Sequence, residues 1–405
     1  MLFYRLTFGK LFPTFGILFP SFFVQPKQVT ASAKPVLCRP WFAVSNKKTA
    51  LMGYICTMIE TQPKNIRHIT LHEIEEYFVA AGDKKFRAKQ VYEWLWKKHA
   101  QSFEDMTNLS KDLRQKLATE FTLPALTIST TQVSEDGTIK SRFKTFDNHA
   151  VEGVLIPTEE RKTACVSSQI GCSLSCKFCA TGYMERKRNL SYDEIYDEVA
   201  LINQQSEKNY GKKLTNIVFM GMGEPLLNYN NVLKAVERIS AEDGLGMSPR
   251  RITVSTAGVS KMIRKLGDDQ VRFKLALSLH AANDKKRNEI MPINETNNIK
   301  ELTNALNYFY KQTKNEITLE YILFKNFNDS QKDADELIKV YRQVPADLIN
   351  IIEYNPIDDA KFAKPDDDVV MRFMQHLETH KVNARLRRSR GKDIDAACGQ
   401  LANKG

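Results

Sequence analysis

Three cysteines lie close together in the run GCSLSCKFCA, at Cys172, Cys176 and Cys179. Their spacing is C-x3-C-x2-C, and no fourth cysteine follows closely. A tetrahedral zinc site and a closed iron–sulfur cluster each need four ligands. Three thiolates would leave one iron of a four-iron cluster open, and an open iron can bind and reduce a small molecule. A ferredoxin-like or zinc-binding run, or a set of buried thiols without metal, would also explain the pattern.

Composition is consistent with a large enzyme. The chain has 405 residues, enough for one large domain and a smaller one whose cores need no disulfides. Its few, clustered cysteines suit a reducing compartment, and we therefore expect a cytoplasmic location. Of the formal charge of +11, residues 1–59 contribute seven basic residues and no acid, which leaves +4 for residues 60–405. Total charge is thus weak support for nucleic-acid binding, and local patches must be considered instead.

Residues 1–57 are interpreted as an extension outside the core. The apolar stretch from Leu11 to Val24 is interrupted by prolines and a glycine and is too short to span a bilayer comfortably, so no membrane association is expected. With Ala31-Ser32-Ala33 after it, this stretch resembles a secretory signal, and the lack of acids is equally typical of an organellar transit peptide. The interpretation that we favour is that translation begins at Met52 or Met58.

Residues 66–125 are predicted to form a small helical domain that binds RNA. Thr70–Glu73 has the pattern of a capping box and begins a stretch with apolar residues at helical spacing. Two more amphipathic helices are predicted, at Phe86–Lys98 and Leu109–Phe121. Basic residues crowd the second helix beside Trp94 and Trp96. Such a surface can hold RNA by charge and stacking, although a solvated helix with buried tryptophans has the same composition.

Residues 126–160 are predicted to be β-structure, because they alternate around a turn at Glu135-Asp136-Gly137. The predicted core, residues 161–380, then repeats apolar strands and helical stretches. The six predicted strands are Thr163–Gln169, Asn216–Met220, Arg251–Ser255, Phe273–Leu279, Ile317–Leu323 and Leu348–Glu353. Six βα units predict a parallel sheet curled into a partial (β/α)6 barrel, with a flat doubly wound sheet as the alternative. Residues 381–405 form a separate C-terminal segment.

Unusual residues follow these strands at their carboxyl ends, where barrel enzymes place their sites, and this favours the barrel. The cysteine loop follows the first strand, and GMGEP, which contains Gly223 and Glu224, follows the second. The later strands end at Ser255, at Ser278-Leu279-His280, and just before Asn355. Glycines let a backbone approach a ligand closely, and carboxylate, hydroxyl and amide groups can bind its polar atoms. A glycine pair alone usually marks a turn, so the joint placement matters.

The cysteine run resembles that of the radical S-adenosylmethionine (SAM) enzymes. Other runs extend the resemblance to the RlmN family of dual-specificity RNA methyltransferases over residues 66–402, namely GMGEP, ITVSTAGV, LALSLHAAND, EYNP and RLRRSRGKDIDAACGQLA. The resemblance implies an α/β radical SAM barrel with one 4Fe–4S cluster held by Cys172, Cys176 and Cys179. It also implies two SAM molecules per turnover and a SAM site formed by Gly223, Glu224, Ser255, Ser278, Leu279, His280 and Asn355.

The resemblance further implies methylation of C2 of adenosine 2503 in 23S rRNA and of adenosine 37 in tRNAs. One SAM would methylate the thiolate of Cys398, and a second would give a 5'-deoxyadenosyl radical that takes hydrogen from this methyl group. The carbon radical would add to C2 of the base, and Glu152 would remove the C2 proton. Cys165 would then attack the sulfur of Cys398 and leave a disulfide for a thiol reductant to open.

The implied partners are 23S rRNA, tRNA, an electron donor such as flavodoxin and a thiol reductant, and a monomer is expected. RNA contact is predicted at the lysines of the helical domain, at Arg186–Arg188 and at Arg385–Lys392. Without the resemblance, Cys398 could be an inert thiol and Glu152 a surface acid.

Three competing functions are compatible with the cysteine run. A Cfr-type enzyme, which methylates C8 of the same rRNA adenosine, shares the catalytic motifs, although the helical segment favours RlmN. A radical SAM maturase would act on a protein, and Cys398 and Cys165 would then be incidental. A non-catalytic iron–sulfur protein could bind RNA without cleaving SAM.

Overall fold

The computed structural model describes residues 39–40, 54–55, 63–358 and 360–403. The chain divides into two compact units, residues 1–62 and 63–405. In the first unit, the described residues are a short antiparallel pair, Arg39–Pro40 with Tyr54–Ile55. The predictions of a signal, a transit peptide or a later start fall otherwise outside the described residues. Among the helices that the structure describes, none is both long enough and apolar enough to cross a membrane.

The second unit begins with three helices, α1 (Leu71–Ala80), α2 (Phe86–Trp96) and α3 (Lys111–Glu120). The predicted capping box is present, since Thr70 N donates to Glu73 Oε2 at 2.7 Å and Thr70 Oγ1 accepts from Glu73 N at 3.2 Å. Each helix buries residues one turn apart, such as Ile74 and Phe78 in α1. A two-residue parallel pair, Lys64–Asn65 with Phe121–Thr122, joins the ends of this segment.

The main sheet has ten strands in chain order, with each strand beside its predecessor. The first three, β1 (Thr127–Val133), β2 (Ile139–Lys144) and β3 (Ala150–Pro157), are antiparallel to their neighbours. The other seven run parallel to one another. They are β4 (Lys162–Cys165), β5 (Asn216–Phe219), β6 (Ile252–Thr256), β7 (Lys274–Ser278), β8 (Ile317–Leu323), β9 (Leu348–Glu353) and β10 (Ala384–Arg387). The predicted partial barrel with a β-hairpin extension is confirmed.

Helices connect the parallel strands, and most of their apolar faces join the sheet in one hydrophobic cluster, whereas Ile290 belongs to a second, smaller cluster. These helices are α4 (Tyr192–Tyr210), α5 (Tyr229–Ser240), α6 (Ser260–Asp268), α7 (Asp284–Ile290), α8 (Ile299–Thr313), α9 (Gln331–Gln343) and α10 (Asp367–Thr379). The capping box predicted at Ser191 is present at the start of α4, and Gly211 ends this helix with φ of 62°. A short strand pair, Gln169–Ile170 with Arg188–Asn189, closes the cysteine loop.

Two strand predictions were inaccurate. The first parallel strand was expected to reach Gln169 but ends at Cys165, because the N–H of Ser167 turns to the buried carboxylate of Glu198, at 3.1 Å from both oxygens. The seventh parallel strand, β10, was not predicted. Its sequence Ala-Arg-Leu-Arg is short and basic, and an edge strand with half-exposed residues lacks the apolar run of a central parallel strand.

A buried ion pair ties the segment before α1 to α4. Arg67 Nη1 lies 2.6 Å from Asp197 Oδ1, and both side chains are almost fully inaccessible. Asp197 also accepts from His99 Nε2 at 2.9 Å and from Leu126 N at 3.0 Å. The neighbouring Trp96 is 1% exposed, so its ring belongs to the core and is not a surface for RNA bases. For this tryptophan, the interpretation as a buried core residue was correct.

Candidate active site

A cavity lies at the carboxyl ends of the parallel strands. Its walls combine the cysteine loop, the loops after β5, β6 and β7, and the C-terminal segment. The predicted site residues that line it are Cys172, Cys176, Cys179, Gly223, Glu224, Ser255, Ser278, His280 and Cys398. Residues that lie up to 226 positions apart in the chain, such as Cys172 and Cys398, therefore meet in one space.

The cysteine loop directs all three of its thiols to this cavity. All are free, and burial raises the pKa of Cys172 to about 11 and that of Cys176 well above its usual value. Gly182 lets the loop close on itself, because a Cβ there would lie 2.6 Å from the carbonyl oxygen of Cys176. Three half-buried thiols on one wall, beside open space, fit a cluster that leaves one iron free. Binding of such a cluster would replace the thiol protons with metal charge.

Glu224 presents a buried carboxylate to the cavity. Its oxygens accept from Leu226 N at 3.0 Å and from Ala257 N at 2.7 Å, and burial raises its pKa. Gly223, with φ of 91°, precedes it and lies against Gln169, whose Oε1 accepts from Glu224 N at 2.9 Å. A Cβ at Gly223 would lie 2.4 Å from the Cβ of Gln169. The loop can therefore hold this carboxylate only with glycine at position 223.

The next two strands bring Ser255, Ser278 and His280 to the same wall. The serine hydroxyls are 3.3 Å apart. His280 Nδ1 accepts from Ile322 N at 3.1 Å, which places the ring proton on Nε2, and burial lowers the pKa of this histidine to about 3. Leu279 is different, because its side chain is 1% exposed and lies in the core and not among the residues that line the cavity.

The C-terminal segment lies across the cysteine loop and brings Cys398 to the cavity. Gly399 O accepts from Ala180 N at 2.7 Å, and Leu401 O accepts from Thr181 Oγ1 at 2.6 Å. Asn355, predicted as a cofactor ligand, donates from Nδ2 to the carbonyl of Cys398 at 3.2 Å and does not line the cavity. Its Oδ1 is buried with no hydrogen-bond partner. In this state, Asn355 positions the thiol-bearing segment.

Cys165 ends β4 and lines a second cavity, which Cys398 and Cys179 also line. The two cavities therefore share Cys398, and both thiols are free, so the predicted disulfide is not present in this state. Burial raises the pKa of Cys165 well above its usual value, whereas the nearby Arg387 acts to lower it.

Glu152 lies on β3, 1% exposed, and lines neither cavity. Its Oε2 accepts from Ala402 N and Asn403 N, both at 3.0 Å, and Lys140 Nζ lies 3.4 Å from Oε1. The interpretation of Glu152 as a surface acid is wrong, because the carboxylate is buried under the C-terminal segment. Its predicted meeting with a substrate base is not seen in this arrangement.

Three charged residues near the cavities were not predicted as site residues, although Arg387 falls within the predicted RNA patch Arg385–Lys392. Arg387, on β10, lines both cavities, and its Nη1 lies 3.8 Å from Glu320 Oε2. Glu320 could have been noticed, because it interrupts the apolar strand ITLEYIL. Arg287 is fully buried and donates to the carbonyls of Leu279, Ala257 and Ser278, at 3.0, 2.6 and 3.1 Å. No sequence signal distinguishes this arginine from its basic neighbours, although it ties the ends of β6 and β7 together.

Both basic patches near the cysteines are partly neutralised. Arg188 donates to Asp147 and Glu194 at 2.7 and 2.8 Å, and Lys187 is paired with Glu185. In the second patch, Lys392 Nζ lies 2.5 Å from a carboxylate oxygen of Glu353. Arg388 lines the second cavity. Arg188 and Lys392 therefore offer less unpaired charge than the sequence suggested, and their contact with phosphates stays a prediction.

Comparison with known protein families matches two parts of the chain. Residues 64–123 match the ribosomal RNA large subunit methyltransferase N-terminal domain, and residues 166–338 match the radical SAM superfamily. A crystal structure of a radical SAM methyltransferase from Sphaerobacter thermophilus is similar, with a TM-score of 0.80 and 39% identity, over 84% of this chain and 100% of that one. The fold and the cysteine-lined cavity thus define a radical SAM enzyme.

Full-length relatives give the finer assignment. The probable dual-specificity RNA methyltransferase RlmN of Cytophaga hutchinsonii is 56% identical over 87% of this chain and 98% of its own length. The dual-specificity RNA methyltransferase RlmN of Geotalea uraniireducens is 41% identical over 84% of this chain and 97% of its own. The chain belongs to the RlmN family. These matches favour RlmN over the Cfr-type enzyme, and they do not support the maturase or the non-catalytic binding protein.

Proposed function

We propose that this enzyme methylates C2 of adenosine 2503 in 23S rRNA and of adenosine 37 in tRNAs, through a methyl group carried on Cys398. The observation that supports this most directly is the meeting of Cys398 with Cys172, Cys176 and Cys179 around one cavity. A thiol that only stabilised the fold would have no reason to face three free metal-ligating thiols. Cluster binding and methyl loading both need reduced cysteines, which suits the cytoplasm.

Cys172, Cys176 and Cys179 would hold a 4Fe–4S cluster, and Glu224, Ser255 and Ser278 line the space beside them where SAM would bind. When bound, these groups supply methyl groups and, with an electron from a donor such as flavodoxin, a 5'-deoxyadenosyl radical. The neutral His280 can donate from Nε2, and Glu224 can accept from an ammonium group. Gly223 lets the loop that carries Glu224 lie against Gln169.

Cys398 would act as a thiolate that accepts a methyl group, and this carbon would later bond to C2 of the base. The thiolate of Cys165, at the second cavity, would attack the sulfur of Cys398 and form an S–S bond. The S–C bond would break with its electron pair passing to the methylene carbon on the base, which would take up a proton and become the product methyl group. A thiol reductant would then restore both thiols. Cys398 lines both cavities, which supports this order of steps. The thiol can receive its methyl group in the first cavity, and Cys165 can release the product in the second.

Glu152 would remove the C2 proton after Ala402 and Asn403 leave its carboxylate. Their two N–H groups occupy Oε2, so the C-terminal segment must shift before this oxygen can accept a proton. The same segment bears Cys398. Binding of the substrate base would therefore move the methyl-carrying residue and uncover the proton acceptor in one displacement.

The test is product analysis with anaerobically reconstituted enzyme and an rRNA fragment. The native enzyme should give 2-methyladenosine, and Cys398→Ala should give no methylated RNA while it still binds SAM. Cys165→Ala and Glu152→Gln should each accumulate a covalent RNA–protein adduct, because the Cys398 sulfur cannot leave the base. Cys56→Ala and the exposed Glu159→Gln are the matched controls and should keep activity.

Two results would contradict the proposal. Full methylation by Cys398→Ala would remove the carrier role of this thiol. A methyl group located at C8 of the adenosine by mass spectrometry would instead establish Cfr-type chemistry at the same site.

A further inference from the structure

Three potential metal ligands meet on the outside of the barrel, where α9 lies beside α10. They are Asp335 on α9, His376 on α10 and His380, the residue that directly follows α10. One ligand atom from each residue lies within 4.8 Å of those of the other two. None of these residues lines the two cavities that meet at Cys398, so this cluster has no part in the proposed reaction.

The two histidines are one helical turn apart and lie on one side of α10. Their ring centroids are 4.4 Å apart, with the rings inclined at 45°. Histidines at positions i and i+4 of a helix are a common pair of metal ligands, because both rings can reach the same ion. Asp335 adds a carboxylate from the neighbouring helix, so the ligands come from two elements.

The hydrogen bonds orient both rings for such a role. His380 Nδ1 lies 2.8 Å from the carbonyl oxygen of His376, so this nitrogen bears the proton and Nε2 keeps its lone pair. A backbone carbonyl is a typical outer partner for a metal-bound histidine. His376 Nε2 lies 2.7 Å from Asp335 Oδ1, with the side chains 19% and 49% exposed. His376 and Asp335 alone would be enough for a hydrogen bond between the two helices. His380 lies close enough to both to serve as a third metal ligand.

We propose that Asp335, His376 and His380 bind one divalent cation of the zinc type, with water as the fourth ligand. Two imidazoles and a carboxylate suit zinc and neighbouring transition metals, whereas calcium and magnesium prefer all-oxygen sites. The ion would join α9 to α10, the helix that precedes β10 and therefore Arg387. This site is independent of the proposed function, because no step of the methyl transfer uses it.

The experiment titrates Zn²⁺ into the cluster-loaded enzyme, without oxygen, against a chromogenic chelator. One equivalent of zinc should bind to the native enzyme, and His380→Ala should weaken binding by about 10- to 100-fold. His72→Ala is the control, since His72 lies on α1 and pairs with Glu76, at 3.6 Å, and not with two other metal ligands of the proposed site. Equal zinc binding by native enzyme and His380→Ala would overturn the proposal.

Zinc-edge absorption spectroscopy identifies the ligands directly. The bound ion should show nitrogen and oxygen neighbours at about 2.0–2.1 Å and no sulfur at about 2.3 Å. Sulfur neighbours would place the ion on the cysteine loop and would overturn the proposal. Melting curves in EDTA should be the same for native enzyme and His380→Ala, and zinc should raise the melting temperature of the native enzyme alone. Such a result would separate loss of the ligand from loss of the fold.

Discussion

At the scale of single residues, some residues of the site could be predicted from spacing in the sequence, and others could not. Cys172, Cys176 and Cys179 could be predicted as a group, because spacing within one loop sets their separation before any tertiary contact forms. Glu152 could be named only by resemblance, and Asn355 only by its place after a strand, since the surroundings of both depend on the C-terminal segment. That segment contacts Glu152 and Asn355 through its backbone atoms. Backbone contacts do not depend on residue type, so they cannot be predicted from the sequence.

Gly223 offers a direct test at this scale. Gly223→Ala should lower SAM affinity by roughly tenfold or more, because a Cβ would meet Gln169 at 2.4 Å and displace the residue that holds the N–H of Glu224. Equilibrium dialysis with labelled SAM and cluster-loaded enzyme would measure this. Gly211→Ala has a similar positive φ but nothing within 4 Å of the added atom, so it should cost about 1 kcal/mol of stability and leave SAM affinity unchanged. Unaltered SAM binding by Gly223→Ala would show that the loop tolerates a side chain.

At the scale of elements, central parallel strands and capped helices could be predicted, and edge structure could not. Thr70 and Ser191 start helices with side-chain bonds that are local in sequence, so the pattern suffices. Strand β10 depends on pairing with β9 and not on its own composition, so its basic residues suggested an RNA patch instead. The burial of Arg67 against Asp197 could not be predicted from the sequence either, because the two residues lie 130 positions apart.

The Arg67–Asp197 pair predicts a large effect on folding. Asp197→Ala should lower the free energy of unfolding by about 3–5 kcal/mol, because it leaves a buried guanidinium without its partner. Urea unfolding followed by circular dichroism would give this difference. Asp368→Ala removes the exposed partner of Arg372 and should leave the unfolding curve unchanged. Equal stability of Asp197→Ala and Asp368→Ala would contradict this prediction. It would mean that water reaches Arg67 in the folded protein and replaces its lost partner.

At the scale of the whole molecule, the total charge does not indicate where RNA would bind. Much of the excess lies in residues 1–59, and several basic side chains beside the cysteine loop pair with acids. Arg388 differs because it lines the cavity that contains Cys165 and Cys398. Fold class could be predicted at this scale, since alternating strands and helices constrain topology, whereas the pairing of surface charges could not.

Arg388→Gln should therefore weaken binding of an rRNA stem-loop and reduce the slope of log affinity against log salt concentration by about one. Fluorescence anisotropy at several salt concentrations would measure both. Arg372→Gln removes the same charge from α10, where the side chain is already paired with Asp368, and should leave the slope unchanged. A salt slope that Arg388→Gln does not alter would place the RNA elsewhere.

The order of the main sheet has a consequence for how the protein is made. Since every strand from β1 to β10 pairs with the one before it, a nascent chain can add each strand to its predecessor as it leaves the ribosome. No strand of this sheet must wait for a distant partner, which limits the exposure of apolar edges during synthesis. The thiol at position 398, in contrast, reaches the cysteine loop only after the last strand has been added. A nascent chain that lacks the C-terminal segment therefore lacks the cavity wall that contains Cys398.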